Sequence, residues 1–182
     1  MKLKKFLSML LIGGMVASSV PMHAMTDNSI EKFKEITSTY AGKTEVVGND
    51  KIINHLSDLY EVVRDVTDEK DFIVLDGVKR FLEHLLYEGA QSEDVKVLTG
   101  TMINICSAHK LLFKIESFTL DEYNQSVSDL LYNISSLSKV SSDSSLRLKE
   151  ELIKKSRILI TILNYHAMSR KMGVPKINFE QQ

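Results

Sequence analysis

The chain has 182 residues with 23 basic and 24 acidic side chains, a formal net charge of −1, and a single cysteine. A balance this close to neutral argues against a polycationic nucleic-acid binder. The lone Cys106 excludes an intramolecular disulfide framework, so any fold must be held by packing.

The N-terminus has the three-part order of a secretory signal peptide. Lys2, Lys4 and Lys5 give a positive start, Phe6 to Val20 form an apolar run broken by Gly13 and Gly14, and Pro21-Met22-His23-Ala24 end on a small residue. That run falls short of the ~20 residues a bilayer-spanning helix requires. Cleavage is expected between Ala24 and Met25, with Ser19 as a second candidate position. No cysteine follows the run, so a lipoprotein anchor is excluded. The expected organisation is a signal peptide over 1–24 and a helical-bundle domain over 25–182, exported to the periplasm or medium with no stable membrane insertion after cleavage.

Beyond Met25, apolar residues recur at spacings of three and four with almost no alternation, which predicts an all-α fold. The first helix is expected from Thr26 to Ala41, with Ile30, Phe33, Ile36 and Tyr40 on one face and Gly42 as its stop. The second starts at Asn49 and Asp50 and carries Ile52, Leu56, Leu59, Val63 and Val66. A third spans Asp71 to Glu88 and ends at Gly89, although Phe72 to Gly77 also reads as a short strand and turn. The fourth runs from Ser92 to Ser117, with Leu98, Met102, Ile105, His109 and Leu112 as one inward seam. Helix five opens on Thr119-Leu120-Asp121-Glu122, a capping box. Ser135 to Leu146 holds seven serines in twelve residues and is expected to fray into a loop over about 135–145. The last helix runs from Ser144 to Met172 and closes at Gly173 and Pro175. Short connections between these elements predict a bundle of about six helices with antiparallel neighbours.

The charge is unevenly distributed: residues 25–145 hold 12 basic and 21 acidic side chains, whereas 146–182 hold 8 basic and 3 acidic. Arg147, Lys154 and Arg157 fall on one side of the last helix. This segment is expected to lie against the acidic body or in solvent, with weak binding to an anionic membrane or partner as the functional alternative.

Motifs that carry chemistry are missing. No His-Glu-x-x-His pair, Gly-x-Ser-x-Gly elbow, phosphate-cradling glycine loop or Cys-x-x-Cys-His occurs, so no catalytic residue, metal site or cofactor is assigned. Asp58, Glu61 and Asp65 share one side of helix two and read as a solvated face. His109 and His166 both fall at core spacing, which makes them the weak candidates for a metal or haem ligand pair, with Met102 as a further soft donor. Their ordinary reading is that of neutral core histidines. Cys106 reads as a buried small hydrophobe. The leading expectation is a non-catalytic binding or interaction protein with a protein partner. A metal- or haem-binding bundle and an enzyme with a dispersed site are the alternatives.

The exported form should begin at Met25, which the intact mass of protein recovered outside the cytoplasm measures directly. A membrane-bound species retaining Met1 would end the soluble-export reading.

Overall fold

The computed structural model describes residues 27–40, 47–64, 66, 72–88 and 92–174. The expected cleavage position at Ala24 and Met25, and the boundary residues Thr26, Ala41, Gly42, Asp71, Gly89 and Pro175, lie outside them.

Among the described residues the fold is an all-α bundle of six helices: α1 Asp27–Tyr40, α2 Asn49–Arg64, α3 Phe72–Glu88, α4 Glu93–Leu112, α5 Leu120–Leu137 and α6 Leu146–Ser169. Cross-helix bonds fix their directions. Lys32 meets Asp58 while Tyr40 meets His55, so α1 and α2 are antiparallel. Asp76 with Lys110 sets α3 against α4, and Tyr123 with Asn164 sets α5 against α6. Tyr60 donates to the Glu151 carbonyl and Lys155 to that of Arg64, so α2 and α6 run parallel. Up-and-down order therefore places the N-termini of α2 and α6 at one end, and the start of α4 joins them there through Asp94.

Helix α4 is the centre. Val95, Leu98, Thr99, Thr101, Met102, Ile105, Cys106, Ala108, His109 and Leu111 are all buried. Residues in this order cannot lie on one stripe, because successive helix positions are turned by about 100°. The single seam expected from spacing is thus corrected: α4 is enclosed on several sides, and Leu112, assigned to that seam, is only half-buried. Its buried hydroxyls stay satisfied by bonding back one turn, Thr99 to the Val95 carbonyl at 2.7 Å and Thr101 to that of Val97 at 2.8 Å.

Two helix exits differ from the sequence reading, and the alternative of a strand and turn at the start of the third helix falls. Phe72 to Gly77 is helical, because Leu75, Val78 and Leu82 bury one face and Asp76 bridges to both Lys110 and Arg80. Helix α4 stops at Leu112 instead of Ser117, and turns follow over 113–117. Arg170 holds that exit by donating to the Phe118 carbonyl at 2.8 Å and stacking over the Phe118 ring. Helix α6 ends at Ser169 rather than Met172: Lys171 donates to Met168 and Met172 to Ala167, a Schellman closure. Lys171 holds the left-handed position at φ 55°, where its charge lies beside the negative end of the helix.

The serine-rich stretch is not a loose linker. Helix α5 continues through Ser135 and Ser136 to Leu137, and a 3-10 turn covers Asp143–Ser145. Asp94 accepts from the Ser141 and Ser142 amides, and Asp50 accepts from the Ser144 hydroxyl. Small hydroxyl residues let the chain pass close over the starts of α2 and α4, whose first-turn carboxylates supply the acceptors.

The capping box at α5 is fully formed, with the Thr119 hydroxyl accepting from the Glu122 amide at 3.2 Å and Glu122 accepting from the Thr119 amide at 2.7 Å. Those bonds hold the Glu122 carboxyl below its usual range. Replacing Thr119 with Ala removes the hydroxyl acceptor and should lower unfolding free energy by about 1 kcal/mol. The urea midpoint measures this, and an unchanged midpoint would show that the box contributes nothing.

Candidate functional site

His109, one of the two histidine candidates, is 4% exposed in the last turn of α4. Burial first, and then the positive charge of Lys155, push its pKa down to about 3. The ring is therefore neutral at physiological pH, and its Nε2 has no hydrogen-bond partner. Lys155 is held nearby on α6 by its 2.8 Å bond to the Arg64 carbonyl at the end of α2. A cation at a helix C-terminus complements the dipole there, so Lys155 is placed by backbone electrostatics rather than by His109.

His166 lies in the last turn of the same helix, half-buried, with its ring edge-on to Tyr165 at 5.3 Å. His109 and His166 each lie in the last turn of their own helix, α4 and α6, the first buried and the second half-buried. Met102 is buried in the core cluster, and no group of three His, Cys, Asp or Glu side chains among the described residues is arranged to hold a metal. Cys106 is fully buried, which pushes its thiol up to about 12 and keeps it protonated. Asp58 pairs with Lys32 at 2.7 Å and Glu61 with Arg64 at 3.0 Å, while Asp65 lies outside the described residues.

One constellation was not legible in the sequence. The Tyr40 hydroxyl bonds His55 Nδ1 at 2.9 Å, and the Tyr40 ring packs edge-on to Phe81, which in turn meets Phe33. Burial pushes the Tyr40 phenol up to about 12 and, aided by Lys51, pushes the His55 imidazole down. Both groups stay neutral, so the pair ties α1 to α2 and offers neither a strong base nor a charged acid. No sequence signal marks it, since the partners are fifteen residues apart on different helices.

Shallow clefts lie on the surface formed by the described residues. One of about 580 Å³ lies between α1, α2 and α6 and is lined by Lys32, Asn54, Asp58, Glu61, Arg147 and Glu151. A second, of about 730 Å³, lies where Asn49 and Asp50 meet Glu93, Asp94 and Ser142. A third, of about 670 Å³ between α3, α4 and α5, mixes Lys79, Lys110 and Lys114 with Asp121, Glu122 and Asp129. Most of these charges already have partners: Lys79 pairs with Glu83, Lys110 with Asp76, Asp129 with Gln125 and Glu122 with its own cap. The Asp76 carboxyl shows the balance, for burial raises its pKa but the bond and charge of Lys110 and the charge of Arg80 outweigh that and hold it below the usual range.

The outward side of α6 is different in kind. Ile158 is 44%, Tyr165 67% and Met168 46% exposed, and none of the three lines a cleft described above. Exposed Lys154 and Arg157 precede them on the helix, and exposed Thr161 lies between Ile158 and Tyr165. Comparison with protein-family models, curated proteins and solved structures yields no match, so the outward residues of this chain are themselves the guide to its role.

Neutral, buried His109 makes stability depend on pH. Its folded pKa of about 3 lies below the unfolded value of about 6.5, so its stabilising effect is complete above pH 6.5 and is lost as pH falls towards 3. From pH 7 to pH 5 the loss should be on the order of 2 kcal/mol. Urea unfolding at the two pH values measures it, and His109→Leu should remove that slope. An unchanged slope in the variant would place the titrating group elsewhere.

Proposed function

We propose that this chain is an exported, non-catalytic binding module whose working surface is the outer face of α6. The observation that carries the reading is the contrast between inside and outside. Inside, the groups with chemical potential are neutralised by burial: His109 and Cys106 sit in the core, and Tyr40 and His55 satisfy each other. Outside, α6 displays Ile158, Tyr165 and Met168 together with Lys154 and Arg157.

Large apolar side chains cost free energy when left in water, roughly 25 cal/mol per Å². Single exposed residues are common, but three on one helix face, bracketed by cations, make a binding surface rather than scatter. The opposite side of α6 is anchored by Leu148, Leu152, Leu159, Ile160 and Leu163, so the outer face is rigidly presented. Export is supported by the order of segments from Lys2 to Ala24.

A photo-crosslinking residue in place of Tyr165 should form adducts with the molecule that covers the face in the intact host, protein or lipid, whereas the same residue in place of Tyr87, 84% exposed on α3, should not. Equal capture from both positions, or none from either, would remove α6 as the working surface.

A further inference from the structure

We propose that the outer face of α6 docks on an anionic lipid bilayer. The inference rests on the reading of that face as the binding surface and names what it binds. With helix positions turned by about 100° each, Arg147, Lys154, Ile158, Thr161 and Tyr165 fall within a band of about 60°, and Arg157 and Met168 border it. All seven are exposed. Charge and apolar character are segregated along the band: Arg147, Lys154 and Arg157 precede, Ile158, Tyr165 and Met168 follow, and exposed Lys171 lies just beyond the helix end. Exposed Glu150, the one acid among the exposed residues of α6, borders the band at the same angle as Met168, so the face carries three cations against one acid. Neither Lys154 nor Arg157 is drawn into an ion pair among the described residues.

Charge complementarity selects the partner's sign. An acidic body, with 21 acidic against 12 basic residues over 25–145, would be repelled by an anionic surface, so the molecule presents α6 and turns the rest away. Geometry selects a bilayer over a protein. Ile158 and Tyr165 are seven residues apart, about 10 Å along the axis of a convex helix, and neither borders a described cleft. A protein interface concentrates its apolar anchors in packed pockets, whereas an interfacial helix lays separate side chains into the headgroup boundary. Tyrosine suits that boundary, since its ring enters the apolar layer while its hydroxyl stays wet. On charge alone the segment binds weakly; the exposed apolar residues add the second signal that stable attachment needs.

The test uses one environment-sensitive fluorophore. Cys106 is fully buried, so Thr161→Cys supplies the accessible thiol for a nitrobenzoxadiazole label in the middle of the face. Tyr87→Cys, on α3, provides a control position on the same full chain and reports any attachment through another segment. Vesicles of phosphatidylcholine with phosphatidylglycerol should shift the 161 label to shorter wavelength at low salt, and vesicles of phosphatidylcholine alone should not. The shift should weaken as salt passes about 0.15 M, where charges are screened beyond about 8 Å. Lys154→Gln with Arg157→Gln should reduce partitioning about thirtyfold with no change in thermal midpoint. A shift that is absent, equal on neutral vesicles, equal at position 87 or indifferent to those two substitutions would overturn the proposal. So would concentration-dependent burial of the 161 label without vesicles, which would identify a second copy of the chain as the occupant. If vesicles give no shift while crosslinking from position 165 captures a protein, the bilayer inference fails and the binding-surface reading stands.

Discussion

The enclosure of α4 is the constraint on which the rest of the structure depends. A helix covered from several directions must be apolar or internally satisfied almost all round, and α4 meets this with aliphatic residues, back-bonded threonines and small Ala108 and Cys106. Its neighbours then need bury only one stripe each, and they do so in Leu75, Val78 and Leu82 of α3, Val127 and Leu130 of α5, and Leu152, Leu159 and Leu163 of α6. His109 is the cost of that arrangement. A ring held neutral with an unpartnered Nε2 in a low-dielectric interior contributes packing volume and little else at neutral pH, and becomes a liability in acid.

Polar interactions in this bundle concentrate at its ends. At the end where α2, α4 and α6 begin, Asp50 and Asp94 face the positive helix termini and also bind the serine segment that leads into α6. At the other end, Lys155 and Lys171 lie against helix C-termini, and Arg170 secures the turn after α4. Several of the cations in the C-terminal segment therefore serve the fold. Lys149 belongs with them, since it donates to the Val140 carbonyl at 2.8 Å. What remains outward on α6 is a smaller and more specific set, Arg147, Lys154 and Arg157, and these are the cations next to exposed apolar side chains. The division explains how a segment with a basic excess can be partly structural and partly a surface: side chains at helix ends answer backbone dipoles, and side chains on the convex flank answer whatever approaches from outside.

Much of the fold was legible in the chain because helices announce themselves locally. The Thr119 to Glu122 box, the Ser92 start with Glu93 and Asp94 behind it, and the three-and-four spacing of Leu residues depend only on neighbours within a turn. Those signals determined the all-α class, the number of helices and most starting points. They also gave the burial of Cys106 and His109, since each sits among aliphatic residues one turn away. Helix ends were read less well. The exits of α4 and α6 depend on Arg170 reaching Phe118 and on Lys171 accepting a left-handed backbone, and neither is written in the local pattern.

Tertiary structure alone decided which polar groups meet and which helix is central. Nothing in the spacing of α4 distinguishes one buried stripe from several, because the count of neighbouring helices is not a property of the helix itself. The partnership of Tyr40 with His55 and the seating of the serine segment on Asp50 and Asp94 are likewise products of packing between segments far apart in the chain. The sequence by itself determined the local elements and the imbalance of charge between body and last helix. The placement of Lys155 against α2 and the exposure of Ile158, Tyr165 and Met168 were decided by which side of α6 the other helices cover, a quantity that exists only once they have packed.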